Sequence, residues 1–423
     1  MLDTTRIGTG FVDRYGAAFG RSNGLLLRMS GLLNGEQEAE GAWITDSVGR
    51  SWLDLGSFGV HLLGHRHPHV VAAASSQLQR MGLSGKILGN ASATALAEAL
   101  LAATPAPLDR VALANTGSEA VEMAMKMAVL ATGRDEFISL RGSYHGKTAG
   151  ALHLSQTMAA RAPLRLAAPS HVADPDDPLD REQVRARLAT RRVAAVFAEP
   201  VRGEGGIRPV AEEYLAFLRE ETSRTGTLLV LDEIQTGLGR CGRLWRSAGA
   251  VPPDLLLTGK VLGGGVLPVA AVVYSGAKIG SSSADPVVLA SSFAGGGLAG
   301  AVGLAVLDVV TDPAFLAEVA RLGERTRRGL TELLGADPRV SAIRGEGLMI
   351  GLQAASESVA GHLVLEAAKR GVLLSFCLSD PTVLRAYPPA VISDGDLDDG
   401  LQRISDAVGA TPMDLQKGNS CLP

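Results

Sequence analysis

Apolar and polar residues alternate along this chain in two rhythms. Short runs at Arg110–Ala114, Glu136–Leu140, Val193–Ala198, Leu228–Leu231 and Leu255–Leu257 are apolar almost throughout, as strands buried on both faces are. Between them, apolar positions recur at helical spacing over His69–Met81, Ala91–Ala103, Ala120–Leu130, Arg181–Leu188 and Glu212–Thr222. Strand and helix therefore alternate from about residue 75 to 310. That order predicts an α/β fold with a mostly parallel sheet flanked by helices on both faces.

The ends have a different grain. Ala42–Leu55 alternates around Ser47-Val48-Gly49 and reads as a hairpin. From Asp312 onward come a charged helix (Phe315–Leu334), apolar strands at Val340–Ile343 and Leu348–Leu352, a helix (Ser358–Arg370), a strand (Val372–Phe376) and a last helix (Leu397–Val408). The predicted organisation is an N-terminal arm with part of a small domain (1–74), a large domain (75–311), and a small α+β domain (312–423) whose tail from Thr411 is frayed. Residues 155–190 read as a surface connection with one helix, and Glu122 and Lys126 as an i, i+4 pair.

Composition narrows the classes of function. Hydrophobic residues make up 46% and charged residues 20%, with a net charge of -4. There is no basic field for nucleic acid or for an anionic membrane surface. The longest apolar runs, Val266–Tyr274 and Leu298–Val310, are short or carry Gly, Pro or Asp308, so neither spans a bilayer. Three scattered cysteines (Cys241, Cys377, Cys421) and an N-terminus without a signal-peptide pattern predict a cytoplasmic protein. The three histidines of Gly64–His69 lack the spacing and companions of a metal site, so no metal is expected.

Candidate chemistry gathers at the strand ends. Leu228–Leu231 runs into Asp232-Glu233, and Leu255–Leu257 is followed by a lone lysine, Lys260, before three glycines. Asn115-Thr116-Gly117-Ser118-Glu119-Ala120 joins a strand to a helix, where free amides and the positive dipole end suit a phosphate. Ser118 could equally be an ordinary helix cap. Tyr144 follows a strand and can stack on a flat ligand. Glu199 and Glu204 follow another strand, at the edge where ligands bind in open α/β sheets. The set suits pyridoxal phosphate: Lys260 as Schiff base, Asp232 keeping the ring nitrogen protonated, Thr116, Gly117 and Ser118 on the phosphate, and Tyr144 on the ring face. Gly237–Gly242 matches G-x-G-x-x-G, but DEIQT separates it from its strand and no helix start follows, so a dinucleotide reading is not supported.

With these residues in place, the chain resembles the class III (ω-) aminotransferases, fold type I pyridoxal phosphate enzymes, nearest the ornithine and putrescine branch. The resemblance covers about residues 40–410 and rests on NTGSEAVEMAMK (Asn115–Lys126), Tyr144-His145-Gly146, EPVRGEGG (Glu199–Gly206), DEIQTGLGR (Asp232–Arg240) and LLLTGKVLGGG (Leu255–Gly265). It implies that Gln235 bonds the ring's phenolic oxygen and that Glu199 belongs to the cofactor's surroundings. It implies a homodimer in which Ser292, standing where the family has threonine, reaches the partner's phosphate. The usual Asn-Pro after it is Gly296-Gly297 here. Arg385 matches an arginine that binds a substrate carboxylate, Glu204 a glutamate that can pair with it and swing aside, and Phe58 an aromatic lining the pocket. The implied reaction moves an amino group, by a ping-pong mechanism, between a terminal amine (of a diamine, ω-amino acid or related metabolite) and a 2-oxo acid or aldehyde. Decarboxylase, racemase and aminomutase chemistry of the same family is the alternative, and a non-catalytic or nucleotide-binding protein a more distant one.

Overall fold

The apolar runs become the strands of one seven-stranded sheet in a computed structural model, which describes residues 10–161, 170–248, 251–413 and 415. In chain order the strands are β1 (Arg110–Ala114), β2 (Glu136–Leu140), β3 (Ser170–Ala173), β4 (Val193–Ala198), β5 (Leu228–Asp232), β6 (Leu255–Thr258) and β7 (Ala270–Tyr274). Their spatial order is β1-β7-β6-β5-β4-β2-β3. Only β7 runs against its neighbours β6 and β1; the other recorded pairings are parallel.

Period-two alternation feeds two cores. Val230, Leu255, Leu257, Ala270 and Val272 pack with Ala120, Val121, Ala124 and Met127 of the helix α1 (Gly117–Thr132). Leu229, Leu231, Val196 and Ile138 face the other way, toward Leu215 and Leu218 of the helix α2 (Glu212–Thr225). A sheet covered on both faces needs apolar side chains on both, which explains the unbroken runs.

The chain divides into two units. One is Pro68–Ala320 with Leu378–Asp380, built around this sheet; the other joins the chain up to His67, Arg321–Cys377 and the chain from Pro381 onward. In the second unit, Glu36–Glu40, Trp43–Asp46 and Ser51–Asp54 form a meander extended by Val372–Leu373. Val340–Glu346, Met349–Ala354, Val383–Ala386 and Ser375–Phe376 form a separate sheet.

Several expectations need correction. The N-terminal arm carries two helices, Phe11–Phe19 and Arg21–Met29, before its first strand. The presumed surface connection at 155–190 contains β3; as an edge strand with one neighbour, it lacks the apolar run of a central strand. The expected strand Val372–Phe376 is two short strands in different sheets, because the chain leaves Leu53-Asp54 to pair with Leu384-Arg385. Glu122 accepts from the Gly150 and Ala151 amides while Lys126 donates to the Val288 carbonyl, so the anticipated pair is not made. The tail is not loose at its first residue: Thr411 is buried, and its carbonyl accepts from Arg339 at 2.6 Å. Residues 414 and 416–423 lie outside the described residues. Among the described residues no single helix is long and apolar enough to cross a membrane.

Candidate active site

Asp232 is the last residue of β5. Alternation places it on the Val230 side of the sheet, the side that α1 covers. Its carboxylate is nearly buried, and each oxygen has a partner with acceptor capacity to spare. Oδ2 lies 2.7 Å from His145 Nδ1, and Oδ1 accepts from the Ile234 amide at 3.1 Å. Burial pulls the His145 pKa down, but the hydrogen bond and charge of Asp232, with the charge of Glu199, leave it above the ordinary value. His145 is held in turn by its amide on Ser155 Oγ at 2.8 Å, and its ring meets Phe197 edge-on at 5.8 Å. The ring's other nitrogen, Nε2, is buried with no hydrogen-bond partner among the described residues.

Lys260 follows β6 after one extended glycine and opens a short 3₁₀ turn with a φ of 43°. A positive φ is uncommon for a side chain with a Cβ and marks a position set by its surroundings. Lys260 is half-buried and lines the same cavity as Asp232.

The loop from β1 into α1 is a phosphate-type cradle. Thr116 caps the helix, accepting the Glu119 amide on its side chain at 3.2 Å and the Ala120 amide on its carbonyl at 3.0 Å. The amides of Gly117 and Ser118 are thereby left at the helix start. So the cap is Thr116, not Ser118, whose hydroxyl accepts from the Lys147 amide at 3.3 Å. A Cβ on Gly117 would stand 2.8 Å from Ile234 Cδ1, and one on Gly146 2.2 Å from Ser118 Oγ. Two glycines thus keep the cradle close to the loop beyond Asp232 and to the Tyr144 loop.

Glu199 ties the remaining loops together. Its carboxylate accepts from the Tyr144 amide at 2.7 Å and the Gly203 amide at 3.2 Å. Burial pushes its carboxyl up to about 7; Asp232 adds to the rise, while His145 and the two amides oppose it. Glu204 accepts from Gln235 Nε2 at 3.4 Å and from the Leu378 amide at 2.8 Å.

One cavity of about 170 Å³ is lined by Thr116, Gly117, Ser118, Tyr144, His145, Gly146, Glu199, Glu204, Asp232, Ile234, Gln235 and Lys260. Nine of the expected site residues meet there. Ser292 does not line it: it is exposed, on the loop whose neighbour Ser291 accepts from Asn115 Nδ2 at 2.9 Å. Arg385 and Phe58 belong to the other unit, where they touch each other. Sequence reasoning gave no role to His145 or Ile234. Their signals were adjacency alone, one beside Tyr144 and one two residues past Asp232.

The donor set fits pyridoxal phosphate. A buried carboxylate suits a ring nitrogen that must stay protonated, a helix start suits the phosphate, and a lysine stands in the same cavity. Fold and site define a fold type I pyridoxal phosphate enzyme. The chain belongs to the aminotransferase class-III family, whose model matches residues 32–408. It is 36% identical over 361 residues, 85% of this chain and 89% of the relative, to acetylornithine aminotransferase of Mycolicibacterium smegmatis. It is 34% identical to putrescine aminotransferase of Pectobacterium atrosepticum, covering 83% of this chain and 77% of that one. Among solved structures, ornithine aminotransferase of Toxoplasma gondii, with pyridoxal phosphate partially occupying its active site, matches at a TM-score of 0.82 and 30% identity, over 90% of this chain and 92% of that one. The protein is therefore a pyridoxal phosphate-dependent class III aminotransferase.

Proposed function

We propose that this enzyme takes its amino group from a terminal amine, of a diamine, ω-amino acid or related metabolite, and gives it to a 2-oxo acid or aldehyde in ping-pong fashion. Acetylornithine, putrescine and ornithine, named for the relatives, share an unbranched chain ending in an amine, which supports this donor class. The observation that carries the reading is the meeting of Lys260, Asp232, the Thr116–Ser118 cradle and Tyr144 in one cavity.

When bound, pyridoxal phosphate supplies an electron sink for the pair left as a bond to the amine-bearing carbon breaks. The chain's residues do the rest. Lys260 would hold the cofactor's aldehyde carbon and move the proton at the amine-bearing carbon of the substrate. Asp232 would keep the ring nitrogen protonated, with His145 fixing the carboxylate's direction. The Gly117 and Ser118 amides and the Thr116 and Ser118 hydroxyls would hold the phosphate. Tyr144 would lie on the ring face, Gln235 would reach the phenolic oxygen, and Glu199 would brace the Tyr144 loop. Arg385 would take a substrate carboxylate, and Glu204 would be its alternating partner. The working form would be a cytoplasmic homodimer, with Ser292 serving the partner's site.

Mixing the purified enzyme with putrescine, ornithine or acetylornithine, then with 2-oxoglutarate or pyruvate, tests the reading. The expected outcome is an aldehyde from the amine and a new amino acid from the oxo acid. Carbon dioxide release or a racemised substrate, with no amino group transferred, would overturn it.

A further inference from the structure

Glu233, the residue after Asp232, is buried. Four donors converge on its carboxylate. Oε1 accepts the Ser247 amide at 2.8 Å and the Ser247 hydroxyl at 2.6 Å. Oε2 accepts the Arg246 amide at 2.9 Å and the Thr236 hydroxyl at 2.8 Å. An ionised carboxylate offers about four acceptor positions, and filling them is what lets such a group be buried. Each oxygen takes one backbone amide, so a glutamine here would turn its own NH₂ group against an N–H. A carboxylate is the group this position fits.

The four bonds close a loop. Thr236 stands just before the glycine run Gly237–Gly242, and Arg246 and Ser247 stand shortly after it. One carboxylate therefore clamps both ends of the stretch that matches G-x-G-x-x-G. The loop is pinned on another side by Trp245, whose Nε1 donates to the Ala103 carbonyl at 2.7 Å, at the end of the helix Ala91–Ala103. A Cβ on Gly237 would stand 2.9 Å from Trp245 Cε3, so the indole lies directly on the loop's start. The Glu233 backbone is tied as well: its amide donates to the Leu257 carbonyl of β6 at 3.0 Å, and its carbonyl accepts the Gly237 amide at 2.9 Å. Gln235, which lines the cavity, lies between these anchors.

We propose that Glu233 is a positioning residue of the active site: by clamping both ends of the loop Thr236–Ser247, it fixes the backbone from which Gln235 reaches the phenolic oxygen of pyridoxal phosphate. This rests on the reading of Gln235 as the group that meets this oxygen. Hydrogen bonds weaken beyond about 3.2 Å, so a small drift of the 234–236 backbone is felt at that oxygen. A donor there favours the form in which the oxygen holds most negative charge, after the proton it shares with the Lys260 nitrogen has left. Glu233 thereby lowers the pH at which the bound cofactor gives up that proton, without touching the cofactor itself.

The test titrates the absorbance of the bound cofactor against pH in the holoenzyme and in its Gln235→Ala, Glu233→Gln and Thr236→Val variants, with Gln235→Ala and Thr236→Val also combined. Gln235→Ala is expected to raise the midpoint by about 0.5 to 1, the worth of one hydrogen bond. Glu233→Gln and Thr236→Val should raise it by less. Thr236→Val should add nothing once residue 235 is alanine, as a change acting only through Gln235 must. A Glu233→Gln protein that melts earlier yet keeps the parent's midpoint would overturn the inference, because a purely structural brace moves only the melting temperature. If Glu233→Gln does not fold, Thr236→Val decides in the same way. A further shift in the combined variant would also overturn it. A midpoint unchanged in Gln235→Ala would instead overturn the reading of Gln235, and with it this inference.

Discussion

Glu199 shows how one residue carries the electrostatics of the site into stability. Its ordinary value of 4.5 is raised to about 7 by burial and by Asp232. The folded state thus holds the proton more tightly than the unfolded chain. That contribution is complete below pH 4.5 and is lost as pH rises through about 7. His145, also raised, acts in the same direction. The cofactor-free protein is therefore expected to melt at progressively lower temperature as pH is raised from weakly acid to weakly alkaline. Glu199→Gln should flatten that slope, removing up to about 1.4 kcal/mol per pH unit. Calorimetric scans of both proteins across that range check it, and an equal slope in the variant would exclude Glu199 as the source.

Gly146 gives a second prediction at this scale. Its φ of +136° and a Cβ that would lie 2.2 Å from Ser118 Oγ leave no room for alanine. Gly146→Ala should push Ser118 out of the cradle and weaken retention of pyridoxal phosphate at least tenfold, read by dialysis against buffer and titration with the cofactor. Retention equal to the parent protein's would show that the cradle tolerates the shift. Residues such as Lys260, Asp232 and Thr116–Ser118 were legible in the sequence because each follows a recognisable strand. His145 was not, because its role depends on Asp232, a partner 87 positions away.

At the scale of elements, the central strands and long helices followed from their rhythm, and the misread strands share one cause. The edge strand Ser170–Ala173 and the two-residue strands Val372–Leu373 and Ser375–Phe376 are too brief, or too little buried on both faces, to show a period. The helix α3 (Gly297–Val310) tests how close packing substitutes for propensity. It starts without a side-chain cap, and three glycines in its first two turns would ordinarily weaken it. They are there for contact. A Cβ on Gly300 would lie 2.4 Å from the Ser92 carbonyl carbon, on the neighbouring helix Ala91–Ala103. Gly300→Ala raises helix propensity yet is expected to destabilise the fold by about 1–3 kcal/mol through overpacking. Chemical denaturation measures the sign: a gain in stability would show that the two helices can separate without loss.

At the scale of the whole molecule, the surface around the cradle argues for a second copy of the chain. Ile87 is 96% exposed, Leu88 84%, Val287 91% and Phe293 64%. They lie on two segments that meet: Lys86 Nζ donates to the Ser291 carbonyl, and a Cβ on Gly296 would lie 3.7 Å from the Ser84 amide nitrogen. Ser291 in turn accepts from Asn115, whose amide group also bonds Glu119 in the first turn of the cradle helix. An exposed apolar surface of this kind suits an association site, and here it is linked to the loop that begins the helix α1. Sedimentation equilibrium is expected to show a dimer. Ile87→Glu with Leu88→Glu should yield monomers, since two charges buried at an interface cost far more than exposed ones. The same variant should bind pyridoxal phosphate more weakly than the parent, because the Ser291–Asn115 link would lose the support of the partner. Monomers that retain full cofactor affinity would separate assembly from the site and remove the role proposed for Ser292.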